Sequence, residues 1–205
     1  MKFDFPLELP ISQKIKDIER AVQSHPVLII AGDTGSGKST QLPKIFLQMG
    51  YGKLKPMAHT QPRRIAATAL ASRIAKECEV NLGEEIGYKI RFSSQVSKPN
   101  DLKKTELILM TDGILLAEME QDVLLKKYNL IIIDEAHERS LNIDFLLGCL
   151  KKILEFRKDL KIIITSATLD LKRFSDFFNQ APIIEIQGRT YPVETRYRPL
   201  LDENI

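Results

Sequence analysis

The sequence predicts an α/β fold with three layers, in which helices cover both faces of a mostly parallel central sheet. Short apolar runs rich in β-branched residues alternate with longer segments whose apolar residues recur at helical spacing. A run such as Leu130–Ile133 has no polar position, which is typical of a strand buried on both faces of a parallel sheet. The alternation favours a doubly wound sheet, in which ligands bind at the carboxyl ends of the strands.

Strands and helices are predicted in order along the chain. The first helix is expected over 11–22, where Ile11, Ile15, Ile18 and Val22 fall on one face and Ser12 can cap its start. The polar residues 93–101 are expected to form a loop. Strands are predicted at 27–31, 55–60, 86–91, 106–110, 130–133, 160–165 and 183–186. Further helices are predicted at 38–49, 63–78, 112–120, 142–155 and 170–178.

The first strand runs directly into a segment that fits the pattern G-x-x-x-x-G-K-[ST] and opens a helix. Glycines let the backbone turn tightly, so that several N–H groups and the helix N-terminus point at one anion. The lysine is expected to reach the β- and γ-phosphates of a nucleotide, and the serine hydroxyl to hold Mg²⁺. The phosphate-binding candidates are Gly32, Thr34, Gly35, Ser36, Gly37, Lys38, Ser39 and Thr40.

A second candidate site follows the apolar run Leu130–Ile133. Asp134 is expected to hold Mg²⁺, because an acidic residue at the end of a buried strand is the usual second metal partner of a phosphate loop. Glu135 is placed to contact the same metal and to orient or deprotonate the attacking water. His137 is not expected to bind zinc, since no second histidine follows at helical spacing.

The segment Asp134-Glu135-Ala136-His137 resembles the box that names the DEAH helicases of superfamily 2, and within them the bacterial HrpA-type RNA helicases. Other blocks match that family in the same order, and together they cover about residues 11–199. These blocks are Thr60-Gln61-Pro62-Arg63-Arg64-Ile65-Ala66-Ala67, Gly87-Tyr88-Lys89-Ile90-Arg91-Phe92, Thr111-Asp112-Gly113, Ser166-Ala167-Thr168 and Gly188-Arg189-Thr190-Tyr191-Pro192-Val193. The resemblance implies a RecA-like fold, ATP and Mg²⁺ as cofactors, and RNA as partner.

The resemblance also implies roles for single residues, and each role has a plainer alternative. Nucleic-acid contacts are implied for Arg63, Arg64, Arg91, Phe92, Thr111, Asp112 and Gly113. The alternatives are surface arginines at a helix start, an ordinary N-cap, and a strand end with Phe92 in the core. Ser166 and Thr168 are expected to link the sheet to His137, or else to form a turn. Arg73 resembles the arginine that stacks on adenine, or it is a solvated helix residue.

Helicases of superfamily 2 use two tandem RecA-like domains, and no segment here matches the motifs of the second. We therefore expect residues 1–195 to form the first motor domain and residues 196–205 to begin a linker to the other. Alone, the domain is expected to be a monomer with little ATPase activity. A small-molecule kinase would not need the Asp134 or the Ser166 block. An ABC-type transport ATPase would carry a Leu-Ser-Gly-Gly-Gln-like signature, which is absent, and a non-catalytic nucleotide-binding scaffold would tolerate loss of Lys38 or Glu135, which are both present. DNA instead of RNA stays open as the partner.

Composition agrees with these expectations. The 205 residues suit one domain with a full core, and 43% hydrophobic and 28% charged residues are ordinary for a globular protein. The net charge of +3 is a weak indication of polyanion binding, and a solvated charged face explains it equally well. Cys78 and Cys149 have no metal or redox spacing and suit a reducing cytoplasm. No signal peptide or membrane span is expected.

Overall fold

A computed structural model describes residues 1–98, 101–167 and 171–186, and it contains the predicted alternation of strands and helices. The strands are β1 (Val27–Gly32), β2 (Met57–Gln61), β3 (Ile86–Ile90), β4 (Ser93–Gln95), β5 (Leu107–Thr111), β6 (Leu130–Ile133), β7 (Lys161–Ser166) and β8 (Ile183–Ile186). The helices are α1 (Ile15–Ser24), α2 (Lys38–Gln48), α3 (Arg64–Glu77), α4 (Asp112–Met119), α5 (Leu141–Phe156) and α6 (Leu171–Phe177). Short 3₁₀ turns occupy Pro10–Lys14 and Ala136–Glu138.

The strands form one sheet in the order β4-β3-β5-β2-β6-β7-β1-β8. All neighbouring strands are parallel except β3 and β4. Strand β6 lies between β2 and β7, with Ile133 opposite Thr60 on one side and Ile164 on the other. Because parallel strands end at the same edge, the segment after β6 emerges between the ends of β2 and β7, one strand away from the end of β1.

Alternate residues of each strand enter two different cores. Leu28, Ile30 and Ile132 pack with α1, α2 and α3, whereas Ile29 and Ile133 pack with α4, α5 and α6. The central strands are buried throughout, so their apolar residues support helical layers on both faces. This three-layer arrangement holds the strand ends in place and presents the loops that follow them along one edge.

Two expectations about local structure are wrong. Ser12 does not cap a helix, since its hydroxyl donates to the carbonyl oxygen of Pro6 at 2.7 Å and α1 begins only at Ile15. Residues 93–95 are not loop but form β4, which pairs antiparallel with β3. Gly87 permits this pairing, because a Cβ atom there would overlap the carbonyl oxygen of Gln95.

The expectations about membrane spans, cysteines and the C-terminal segment have different outcomes. Among the described residues, no helix combines the length and apolar character required to cross a bilayer. Cys78 is buried and Cys149 is partly buried, both as free thiols. Thr168, the block that begins at Gly188, and the expected boundary between residues 195 and 196 lie outside the described residues.

Candidate functional site

The loop between β1 and α2 has the backbone shape that its glycines allow. Gly35 and Gly37 have φ angles of 82° and 91°, in the left-handed region that favours glycine. A Cβ atom at Gly37 would lie 3.0 Å from a methyl carbon of Ile11, and one at Gly32 would lie 2.7 Å from the carbonyl oxygen of Ile186. The loop therefore folds tightly against its surroundings and directs the N-terminus of α2 toward the strand ends.

The ammonium group of Lys38 lies inside this loop. It donates to the carbonyl oxygens of Gly32 and Asp33 at 2.5 and 2.8 Å, and to the Ser36 hydroxyl at 3.2 Å. Burial lowers the pKa of Lys38, and the negative charge of Glu135 acts against this shift. The loop thus holds a concentrated positive charge close to the acidic segment after β6.

Asp134 is fully buried and accepts hydrogen bonds on both carboxylate oxygens. Oδ1 accepts from the Thr165 hydroxyl and from the Glu135 N–H at 3.1 Å, and Oδ2 lies 3.2 Å from His59 Nε2 and 2.5 Å from Gln61 Nε2. Burial by itself would raise the pKa of Asp134, but these donors, His59 above all, hold it well below its usual range. The carboxylate is therefore ionised, with Oδ2 facing β2 and Oδ1 facing β7.

Glu135 lies at the edge of this cluster in a strained conformation. Its φ angle of 55° is uncommon for a residue with a side chain. Burial, followed by the charge of Asp134, raises the pKa of Glu135. Its Oε2 lies 3.2 Å from His137 Nε2, and His137 Nδ1 accepts from the backbone N–H of Ala167 at 3.2 Å. The arrangement places a carboxylate of increased basicity beside the phosphate loop.

The oxygen ligands at this edge fit Mg²⁺ shared with a nucleotide. Asp134 and the Ser39 side chain are close enough for Ser39 to favour the ionised carboxylate, and both are the hard oxygen ligands that Mg²⁺ prefers. Within the described residues, no group of three or more His, Cys, Asp and Glu surrounds a common point. Mg²⁺ is usually held by one or two carboxylates together with phosphates, so this set is sufficient for it.

The outer residues of the phosphate loop differ in exposure. Thr34 and Gly35 are exposed, whereas Thr40 is buried and its hydroxyl donates to the carbonyl oxygen of Gly37 at 3.3 Å. Arg73 lies on an exposed face of α3, where it pairs with Glu77 at 2.9 Å. The pairing with Glu77 matches the plainer alternative for Arg73, and its contact with a nucleobase stays a prediction.

A groove of about 680 Å³ lies beyond the ends of β2 and β5. It brings together most of the residues expected to contact nucleic acid, which are Arg63, Arg64, Arg91, Thr111, Asp112 and Gly113. Arg63 is 78% exposed and lies 3.6 Å from Glu138. Asp112 is buried, and burial raises the pKa of its carboxyl group. The lining combines three arginines with two acidic residues, Asp112 and Glu138, so the groove carries a small formal excess of positive charge.

Phe92 is 88% exposed, so the alternative that placed it in the core is wrong. It occupies the turn between β3 and β4 with a φ angle of 70°, and the Arg91 guanidinium lies 4.8 Å from its ring centre. The chain reverses direction here because β4 pairs antiparallel with β3, so Arg91 and Phe92 lie at the tip of a hairpin. Ser166 is buried at the end of β7.

Comparison with known proteins gives this edge of the sheet its context. A model of the DEAD/DEAH box helicase family matches residues 13–177, which include the phosphate loop, the Asp134 segment and the groove arginines. The chain belongs to the DEAD/DEAH box helicase family. Its three-layer, mostly parallel sheet is the RecA-like fold expected for a DEAD/DEAH box domain.

Three curated DEAD/DEAH box relatives align with nearly the whole chain. The ATP-dependent RNA helicase HrpA of Escherichia coli is 61% identical over 199 residues, or 97% of this chain. A HrpA homolog of Haemophilus influenzae is 57% identical over 98% of the chain, and HrpA of Borreliella burgdorferi is 51% identical over 95%. The chain spans only 15% of the length of the first two relatives and 23% of the third.

The sequence-based reasoning about this DEAD/DEAH box site missed four contacts around Asp134 and His137. The side chains of His59, Gln61 and Thr165 bond to Asp134, and the N–H that bonds to His137 belongs to Ala167. The available signal was polar residues in or directly after predicted strands: His59 and Gln61 are among the last three residues of β2, and Thr165 follows three isoleucines of β7. A backbone N–H such as that of Ala167 leaves no signal in the sequence.

Proposed function

We propose that this chain is the ATP-binding first motor domain of an ATP-dependent RNA helicase. The observation that supports this most strongly is the position of two different features along one sheet edge. A nucleotide site formed by Lys38, Asp134 and Glu135 and a basic groove formed by Arg63, Arg64 and Arg91 meet at the end of β2. Such proximity gives a direct structural path for coupling ATP hydrolysis to movement along a strand, whereas a small-molecule kinase or a nucleotide-binding scaffold does not require the groove.

In this proposal, the loop N–H groups and Lys38 bind the β- and γ-phosphates of ATP. Ser39 and Asp134 hold Mg²⁺, which would neutralise phosphate charge when it is bound. Glu135 accepts a proton from the attacking water, and its raised pKa makes it a stronger base than an exposed carboxylate. Four hydrogen bonds keep the buried Asp134 carboxylate ionised and fixed in orientation, against the opposing effect of burial.

The groove residues bind the phosphates of a single strand. Arginine guanidinium groups form paired hydrogen bonds with phosphate oxygens, and the N-termini of α3 and α4 add backbone N–H groups beside them. Such contacts position the strand without reading its sequence. The relatives are named RNA helicases, which supports RNA as the partner. DNA stays the second candidate, because phosphate contacts alone do not distinguish the sugars.

Turnover and unwinding belong to a longer protein with a second RecA-like domain, located in the cytoplasm. The decisive experiment compares the ATPase rate of that full-length protein with RNA, with single-stranded DNA and with neither. A rate stimulated by RNA well beyond the rate with DNA supports the proposal. Equal ATPase rates in all three conditions would contradict the helicase function, and stimulation by DNA alone would show that the partner is DNA.

A further inference from the structure

Gln61 connects the groove to the nucleotide site through a short path. It is the last residue of β2, only 5% exposed, and its side-chain N–H donates to Asp134 Oδ2 at 2.5 Å. Only Pro62 separates it from Arg63, which is 78% exposed and lines the groove. The fixed φ angle of Pro62 limits the backbone conformations available between Gln61 and Arg63. Arg63 and the Gln61–Asp134 hydrogen bond are therefore joined by a short and restricted stretch of backbone.

A second contact joins the same two segments. The guanidinium of Arg63 lies 3.6 Å from the Glu138 carboxylate, which follows Asp134 by four residues. This exposed ion pair contributes little to stability and is readily replaced when a phosphate offers Arg63 a better partner. Binding of a strand would therefore change the outer contact between the segments while the inner contact of Gln61 persists.

The hydrogen bonds around Asp134 distinguish two possible roles of Gln61, which are stabilising the buried charge and linking Asp134 to the groove. Oδ1 accepts from Thr165 of β7 and from the N–H of the adjacent residue Glu135, whereas His59 and Gln61 of β2 lie against Oδ2. Of these four groups, only Gln61 is followed within two residues by residues that line the groove, Pro62 and Arg63. What Gln61 adds is a link between this carboxylate oxygen and the chain that enters the groove.

We propose that Gln61 is a positioning residue that couples strand binding in the groove to the orientation of the Asp134 carboxylate. The proposal rests on the proposed function, because it needs a polyanionic strand at Arg63 and a metal–nucleotide complex at Asp134. Coupling of this kind is reciprocal: if the strand changes nucleotide affinity, the nucleotide changes strand affinity by the same factor. The Gln61 hydrogen bond is responsible for this change in affinity, although Gln61 contacts neither the strand nor the nucleotide.

The test measures the affinity of the chain for a fluorescein-labelled oligouridylate by anisotropy, with and without saturating Mg·ADP. The ratio of the two dissociation constants is the coupling factor, expected at about fivefold or more for the wild type. Gln61→Met keeps the side-chain length but removes the donor, and it should bring the ratio within about twofold of one. Gln61→Asn, which keeps an amide of shorter reach, should do the same and replaces the methionine variant if that variant does not fold.

Gln180→Met is the matched control. It removes a 2.7 Å hydrogen bond from an amide to the Asp176 carboxylate on an exposed surface, and it should keep the wild-type ratio. If the Gln61 variants also keep that ratio, even with lower melting temperatures, Gln61 only supports the fold and the proposal is overturned. A wild type that binds both ligands with a ratio of one overturns it as well. A wild type that fails to bind Mg·ADP or the oligonucleotide instead refutes the proposed function itself.

Discussion

His137 Nδ1 accepts a hydrogen bond from the backbone N–H of Ala167 at 3.2 Å. Since a backbone N–H can only donate, Nδ1 is the acceptor and carries no proton, and the ring proton of the imidazole is on Nε2. Nε2 lies 3.2 Å from Glu135 Oε2, so His137 donates to the carboxylate proposed to activate water. The end of β7 thereby sets the tautomer of His137, and His137 holds Glu135 beside the phosphate loop.

Glu135→Gln should nearly abolish ATP hydrolysis by the full-length enzyme while leaving ATP and RNA binding intact. The amide oxygen still accepts from His137, so the geometry persists, but the base is lost. We expect a decrease in the hydrolysis rate of about 10²- to 10⁴-fold, measured at saturating RNA. Glu155→Gln, at an exposed position on α5, is the control. A decrease of less than about threefold, or 0.6 kcal/mol, would show that Glu135 does not activate water.

Glu135→Gln should also stabilise the fold at neutral pH. Because the folded pKa of Glu135 is raised, its ionised form is disfavoured in the folded state. The wild type therefore loses stability as pH rises from the ordinary carboxyl pKa through the raised one, and the glutamine variant does not. Thermal unfolding should show the variant melting above the wild type at pH 7, with a smaller difference near pH 4. The opposite trend with pH would refute the assigned direction of the shift.

Lys38→Ala should weaken binding of Mg·ADP and Mg·ATP by the domain. The buried ammonium group lies inside the loop, and in the proposed function it binds the phosphates. A charge-assisted hydrogen bond of this kind corresponds to about 10- to 100-fold in affinity. Calorimetric titration of nucleotide measures the effect directly. Lys158→Ala, at an exposed site next to the N-terminal end of β7, serves as the control. Unchanged titrations in Lys38→Ala would exclude the phosphate-binding assignment.

Arg63→Ala combined with Arg64→Ala should weaken binding to all single-stranded sequences to the same extent. Phosphates carry no sequence information, so homopolymers of different bases should lose equal affinity. A plot of log affinity against log salt should become shallower by roughly 0.7 per lost contact. Arg20→Ala, on the exposed side of α1, should leave the slope as it is. Loss confined to one sequence, or an unaltered slope, would argue against backbone contact.

The 205-residue chain by itself should fold and bind Mg·ADP weakly, but its ATPase rate should be nearly insensitive to RNA. An arginine finger contributes on the order of 10³–10⁵ to the rate of such enzymes, and the proposal places that residue in a second domain. The check is the rate of the purified chain, with and without RNA, beside that of the full-length enzyme. A rate within about tenfold of the full-length value would contradict the two-domain proposal.

Local patterns along the chain predicted most of the fold. The runs that became β1 and β6 were located to within one residue, because a buried strand requires consecutive apolar residues and the turns beyond it require polar or glycine residues. The bounds of β8 were also predicted, although only Ile186 of that edge strand is buried. The error at 93–95 has a physical cause. Strand β4 is short, polar and exposed, so its backbone pairing with β3 leaves no apolar pattern in the sequence. Only Gly87 indicated that another segment of the same chain passes close to β3.

The sequence by itself determined the phosphate loop, the acidic segment after β6 and the ends of most strands, since each depends on residues adjacent in the chain. The tertiary structure alone decided which groups meet at Asp134. His59 and Gln61 precede it by more than seventy residues and Thr165 follows it by thirty-one. These contacts exist because strand order places β6 between β2 and β7, and strand order depends on packing across the whole sheet.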